Sequence, residues 1–529
     1  MILNRLSIRT SLRDSFRAPD VQRHAHLLWS KAKAAMPACA VLALALSGSS
    51  ARATDPWYDD RVQLQLAPGI DIDEINSEYG TTTDDSLPPL FLLAVPDGVP
   101  QQQILLQMSS DPRIEWAEPG YLDETPETTR LMFVIIVGGT VTDYEDQAVL
   151  DRIRLDDILP HTTGSGVTVA VLDTGVESAH PALAGSVMKG GFDFVDDDIY
   201  PEDTANGLDD DGDGHTDEGA GHGTMVAGIV HLIAPDAEIL PLRILDDEGR
   251  GTSFAVARAL VFAVDAGAQV INMSFGLPLH CNTIAWGIEY AAEAGVVLVG
   301  AAGNDGTEFP PYYPASDPAV LSVTALDSTD VKSSFSNYHS TVAVSAPGNG
   351  ILSPFPGGQY AIGAGTSFAA PFISGQAALV QGGPVAPMKS GVDTVIRNGV
   401  VEIDEIPGNV PFAGKLGSGR FDGLETWLAM SPAAQVPIAP AGSLGWSVFP
   451  NPSSVSQSVT ISARALEQAT GAATVHDLAG RIVAKLPHAG ATLTWDGRDL
   501  RGREAPSGFY QVRIQTDRGP ETISLLRMR

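Results

Sequence analysis

Cysteine is scarce in this chain: two residues in 529, Cys39 and Cys281. Cys39 lies in an amino-terminal stretch that reads as a removable export signal, so the mature chain would keep one thiol and no intrachain disulfide. Positive charge is scarce as well. Against 64 acidic residues stand 32 Lys and Arg, a formal charge of -32, and a surface of that sign repels nucleic acid over much of its area. The apolar run AVLALAL at 40–46 is too short to span a bilayer. Basic residues precede it and SGSSARA follows it, with Ala51 and Ala53 in the small positions before a cut, which predicts a secretory signal over 1–53 and a secreted or cell-surface location. What is abundant is apolar residues at 44%, with 54 Gly and 37 Pro, the mix of a globular protein with many turns. A length of 529 residues predicts several domains.

The pattern changes along the chain. Residues 54–127 read as a small α+β unit: RVQLQL alternates like a strand, and Ile104, Leu105 and Met108 recur at helical spacing. In the connecting stretch 128–149, MFVIIVGG reads as a buried strand and the DYEDQAVLDRIRLDDI that follows reads as helical. Over 150–430 strands and helices alternate, and the strands (VTVAVLD, AEILPLRIL, QVINMS, VVLVGA) are continuously apolar and β-branched. Such strands are buried on both faces, so the expected fold is α/β with a parallel, doubly wound sheet. A Pro/Ala-rich linker, 431–444, leads to short strands and turns over 445–529 that predict a β-sandwich.

Four stretches carry chemistry. In VAVLDTG, Asp173 ends a strand, at the edge where α/β sheets bind ligands. In GAGHGTMVAG, His222 stands between glycines at the start of an apolar helix, which predicts an exposed, accessible imidazole. In GAGTSFAAPF, Ser367 opens a helix whose free amides would stabilise an oxyanion, and Pro371 is expected in the first turn. Serine becomes a nucleophile when a base takes its proton, imidazole ionises near neutrality, and a carboxylate fixes the ring's tautomer. In VVLVGAAGNDG, Asn304 ends a strand and offers a side-chain amide.

Taken together, DTG, GHGTMVAG and GTSFAAP resemble the signature blocks of the subtilases, the subtilisin-like serine endopeptidases, over roughly residues 150–430. The order Asp, His, Ser is that of subtilisin and differs from those of chymotrypsin and the α/β-hydrolases. The resemblance implies hydrolysis of peptide bonds through an acyl-enzyme, with Asp173, His222 and Ser367 as the triad and Asn304 as an oxyanion donor. It also implies that Gly249, Arg250 and Gly251, with Ser274, Phe275 and Gly276, bind an extended polypeptide substrate as an added strand. Ala301, Ala302 and Gly303 would wall the pocket for the side chain before the scissile bond, which Tyr312 would crowd. Met225 stands where many relatives carry histidine. Residues 54–127, above all DPRIEWAEPGYL, resemble the inhibitory propeptide of the family, which implies the chain's own propeptide as a partner and a self-processing precursor.

Between the Asp and His blocks, DDDGDGHTDEG sets Asp209, Asp211, Asp213 and Asp217 around glycines, an oxygen-only donor set that predicts structural calcium; no second imidazole or thiolate accompanies His215, so zinc is not expected. The last 85 or so residues, with FPNPS, WDGRDLRG and APSGFYQVRI, resemble the immunoglobulin-like domain of flagellar hook-capping proteins and type IX sorting domains. That implies export or surface machinery as a partner. The competing reading is a secreted binding or adhesion protein with a silent protease body.

Overall fold

The computed structural model describes residues 57–124, 134–210, 212, 214–383 and 389–430, and beyond these 447–449, 453–454, 459–462, 473–477, 481–486, 492–506, 508–516 and 519–528. The expected export signal and the linker 431–444 lie outside the described residues.

The first unit runs β1 (Trp57–Leu66), α1 (Ile72–Tyr79), β2 (Thr82–Leu87), β3 (Leu90–Ala94), α2 (Gln101–Met108) and β4 (Ile114–Glu124), with its strands in the order β2-β3-β1-β4. Strand alternation sends Val62, Leu64 and Leu66 to one face. There they bury against Ile75 of α1 and against Ile104 and Met108 of α2. Asp71 caps α1 by accepting from the Asp73 amide, and Gly80, at φ +70°, ends it.

Among the described residues of the strand expected in MFVIIVGG, only β5 (Ile135–Ile136) forms. It is not buried: Ile135 and Ile136 are each about half exposed, because β5 only adds to the outer edge of a hairpin formed by residues 349–364. The helical stretch after it breaks into α3 (Val141–Glu145) and α4 (Ala148–Arg152), with Asp146 leaving the helical region between them.

The main body is built on β6 (Thr168–Asp173), β7 (Phe192–Asp193), α5 (His222–Ile233), β8 (Glu238–Arg243), β9 (Arg250–Thr252), α6 (Ser253–Asp265), β10 (Val270–Met273), α7 (Asn282–Glu293) and β11 (Val297–Ala301). It continues through β12 (Val320–Leu326), β13 (Val342–Pro347), the hairpin β14 (Asn349–Phe355) and β15 (Gln359–Ala364), and α8 (Thr366–Gln381). After α9 (Lys389–Asn398), β16 (Val400–Val401) and β17 (Arg420–Phe421), α10 (Gly423–Met430) closes it. Nine strands form one sheet in the order β16-β17-β13-β12-β11-β10-β6-β8-β7, parallel except where β16 meets β17. Both faces are buried: along β6, Val169 and Val171 pack with α5 and α8, while Ala170 and Leu172 pack with α6 and α7. This is the parallel, doubly wound α/β fold that the strand composition predicted. The strand order reverses between β6 and β10, and open α/β sheets bind ligands beyond the carboxyl ends of the strands at such a point. Asp173 ends β6 and Ser274 follows β10.

The free face of the first sheet lies on the body, where Leu87 and Leu90 pack with Phe254, Ala257 and Val261 of α6. Its edge continues into the body too, since β4 pairs antiparallel with β9 through Leu122–Thr252, Asp123–Gly251 and Glu124–Arg250. Farther along, strands 447–449, 459–462 and 492–495 form one sheet and five others form a second, with Trp495 of the first and Val475 and Val512 of the second in a shared core. Among the described residues, no helix is long and apolar enough to cross a membrane.

Candidate active site

β6 delivers Asp173, fully buried, to the switch point. Its Oδ1 accepts from the Thr174 amide at 2.9 Å and lies 2.6 Å from Nδ1 of His222, the first residue of α5. A carboxylate oxygen only accepts, so the proton sits on Nδ1, and Nε2 of the neutral ring is left as an acceptor. Two glycines permit this approach. Gly221 turns the chain into α5 at φ +91°, and a β-carbon on Gly223 would collide with the Gly175 carbonyl. The imidazole is not exposed as expected: His222 is 4% accessible. Aromatic rings close in instead: Phe355 packs over the bare backbone of Gly221, and Phe368 has its centroid 5.5 Å from the imidazole.

A residue that the sequence reading missed closes the start of α5. Asp203, fully buried, accepts from the Gly221 amide at 2.8 Å, from the Thr224 amide at 3.0 Å and from Thr224 Oγ1 at 2.6 Å. It also accepts from Thr174 Oγ1 at 3.2 Å, and Thr174 Oγ1 in turn accepts from the Gly223 amide. One carboxylate thus ties the residue after Asp173 to both neighbours of His222. Burial pushes its carboxyl up to about 6, against the opposing pull of the donors around it. Nothing local marks it, because its partners stand 18 and 21 residues along the chain.

Ser367 is the second residue of α8, after Gly365 in extended conformation. Pro371 lies inside the helix rather than in its first turn, as the sixth residue. Proline has no N–H for the carbonyl four residues back. That carbonyl belongs to Ser367, and it accepts from Ser274 Oγ at 2.9 Å while Ser367 Oγ donates to the Ser274 carbonyl at 3.1 Å. Beneath this pair, Asn272 donates to Ser274 Oγ and accepts from Ser374 Oγ. Asn304, just past β11, accepts at Oδ1 from the amide and the hydroxyl of Thr366, both at 2.9 Å. A backbone N–H can only donate, so the oxygen faces Thr366 and the side-chain nitrogen is turned away from it. Asp173 and His222 are therefore in direct contact, Ser367 is the neighbour of the phenylalanine beside the imidazole, and Asn304 is anchored to the residue before Ser367.

The other predicted residues fall around this centre. Gly249, Arg250 and Gly251 lie at and beside β9, the strand that β4 pairs with. Phe275 is fully buried in the core on the α6–α7 face and Ser274 is spent on Ser367, so in this segment only backbone and Gly276 remain to meet a ligand. Ala301 and Ala302 are buried, and Gly303 turns at φ +100°. Of the four aspartates expected to hold calcium, Asp211 and Asp213 lie outside the described residues. Asp209 accepts from the amides of Gly212 and Gly214, and Asp217 from those of Asn206 and Gly207. Both thus brace the loop, and among the described residues no group of three or more His, Cys, Asp or Glu is arranged to hold a metal.

The first unit also reaches helix ends of the body. Glu118 of β4, buried, accepts from the amides of Asn282 (3.0 Å) and Thr283 (2.8 Å) and from both side chains, closing the start of α7. Ser253, the first residue of α6, donates to Gln63 and accepts from the Tyr121 amide.

The sequence model of the Subtilase family matches residues 164–390. The chain is 38% identical over 294 residues to the thermophilic serine proteinase of Bacillus sp. (strain AK1), covering 53% of this chain and 66% of that one, just under two thirds. It is 40% identical over 232 residues to thermitase of Thermoactinomyces vulgaris, covering 44% of this chain and 81% of that one. The fold is shared with fervidolysin of Fervidobacterium pennivorans, described as a keratinolytic enzyme related to subtilisin, at a TM-score of 0.59 and 21% identity over 88% of this chain and 73% of that one. The chain belongs to the subtilase family of serine endopeptidases.

Proposed function

We propose that the protein is an exported endopeptidase, made as a self-inhibited precursor, that cleaves polypeptides through an acyl-enzyme on Ser367. The 2.6 Å contact between Asp173 and His222 at the sheet's switch point carries this reading. With its proton held on Nδ1, His222 is set to take the Ser367 proton at Nε2 and return it to the leaving amine, while Asp173 stabilises the imidazolium. The Ser367 amide, at the start of α8, and the Asn304 side-chain nitrogen supply hydrogens to the oxyanion.

Residues 54–127 act as the inhibitor. Three observations support this: the pairing of β4 with β9, the apolar contact on α6, and Glu118 at the start of α7. β4 pairs with β9, in the segment proposed to bind substrate as a strand. Calcium fits the all-oxygen chemistry of the 209–217 loop, where Asp209, Asp211, Asp213 and Asp217 would hold it as a staple with no part in the chemistry. The carboxyl-terminal region serves export or attachment, and its removal from surface-exposed protein during a pulse-chase, against its retention, tests that role.

The deciding experiment is labelling with a fluorophosphonate and locating the modified peptide. Ser367 is the expected site, and Ser367→Ala should leave a folded precursor that neither processes itself nor cleaves casein. Its turnover should fall by about 10⁶-fold, the size found for the corresponding change in subtilisin itself. Label on another residue, or self-processing by Ser367→Ala, overturns the proposal.

A further inference from the structure

Gly303, of the segment assigned to the substrate's side-chain pocket, and Gly276, of the segment assigned to bind the extended substrate, both face a third element that belongs to none of the signature blocks. A β-carbon on Gly303 would lie 2.9 Å from Cδ2 of Tyr312, and one on Gly276 would lie 3.6 Å from the same atom. The phenol ring therefore stands in the gap between the two glycines. In a pocket open to substrate, bare backbone at 276 and 303 would leave a slot for a large side chain. Here the slot is taken by the chain's own ring.

The ring is held at both ends. Its hydroxyl donates to Asp305 Oδ2 at 2.6 Å, the length of a charge-assisted bond, and Asp305 directly follows Asn304. At the other end Tyr313, the next residue, exchanges two backbone hydrogen bonds with Leu277, the residue after Gly276, each at 2.9 Å. The backbone that carries the ring is thus fastened to one wall of the gap and the hydroxyl to the other. To swing out, the ring must give up the carboxylate bond, and a large substrate side chain entering beside it would overpack the same space.

Resting on the peptidase reading above, we infer that Tyr312 fills the pocket for the side chain before the scissile bond. The enzyme accordingly selects glycine, alanine or serine at that position and rejects aromatic and long aliphatic side chains. Selection of this kind acts by exclusion: a small side chain fits beneath the ring, while a large one pays in steric overlap.

The test uses the full chain after its own processing and the peptide p-nitroanilides Ala-Ala-Pro-X with X as Ala, Leu or Phe. The expected kcat/KM for Ala exceeds that for Phe by roughly tenfold or more. Tyr312→Gly should raise the Phe-to-Ala ratio of kcat/KM by about the same factor, and Tyr312→Phe, which keeps the ring and drops the Asp305 bond, should fall between. A wild-type preference for Phe or Leu overturns the inference. So does an unchanged ratio in a Tyr312→Gly protein that still takes fluorophosphonate at Ser367. Should Tyr312→Gly not fold, the wild-type cuts in an unfolded protein, mapped by mass spectrometry, decide: cuts after small residues support the inference and cuts after Phe, Tyr or Leu refute it. No hydrolysis of any anilide together with no label on Ser367 refutes the peptidase reading, and this inference with it.

Discussion

Four helices begin near the cleft, and they are closed in two ways. The starts of α5 and α8, which carry His222 and Ser367, are closed from within the body, by Asp203 on Gly221 and Thr224 and by Asn304 on Thr366. The start of α7 is closed from outside it, by Glu118 on Asn282 and Thr283, whereas α6 keeps its own cap, Thr252 on the Ala255 amide, and takes from the first unit only the hydroxyl contact of Ser253 with Gln63. Unpaired amides at a buried helix start cost free energy unless a side chain, water or ligand takes them. The contrast teaches that the starts of α5 and α8 take nothing from the first unit, whereas the start of α7 depends on it. If the first unit is the inhibitor proposed above, this footprint has it stabilise the body, and its removal would leave the Asp173–His222 contact intact.

The largest effect expected from breaking this contrast is at Asp203. Asp203→Ala strips two amides and two hydroxyls of their buried acceptor and should cost about 3 kcal/mol or more, read as a fall of several degrees in Tm and a loss of activity. Its pH dependence separates charge from shape. The carboxyl is held at about 6 in the folded protein, against the ordinary value of 3.8 for an unfolded chain. Between these values the folded state binds more protons, so stability falls as pH rises from about 4 to 6. Relative to Asp203→Asn, the wild type should lose stability across that window and not above it, which urea unfolding at a series of pH values measures. A flat difference would show that the carboxyl ionises normally.

Glu118→Ala should leave the processed body's melting temperature unchanged and weaken inhibition by the first unit, added in trans, by about 2 kcal/mol, roughly thirtyfold. An unaltered inhibition constant would mean that the apolar contact on α6 alone holds the unit. The smallest effect is expected at the acidic loop. Removing calcium with a chelator should lower Tm by a few degrees, while the Asp173–His222 contact, which does not involve the loop carboxylates, persists. An unchanged melt would remove calcium from the account.

The alternating, continuously apolar strands made the doubly wound sheet legible, because burial on both faces imposes that composition on any strand within it. MFVIIVGG misled for a related reason: an apolar run reports the environment a segment could occupy, and the hairpin edge left β5 half exposed. His222 misled differently. Glycine neighbours read as openness, yet Phe355 closes onto the bare backbone of Gly221 and Phe368 stands 5.5 Å from the ring. Pro371 marked the right helix at the wrong turn, and the carbonyl it orphans is the one that Ser274 answers.

By itself the sequence determined the elements whose causes are local: strand and helix alternation, the glycines at 221, 223 and 303 that permit close backbone approach, and the residue types able to form a base, a nucleophile and a carboxylate. The folded structure alone decided which distant groups meet. Asp203 with Gly221, Glu118 with Thr283 and Tyr312 with Gly276 are pairings made across the chain by sheet order and packing. A buried polar group takes whichever partner the fold brings within hydrogen-bond reach, and a pocket holds whatever ring the packing leaves there, so neither is written in the residues nearby.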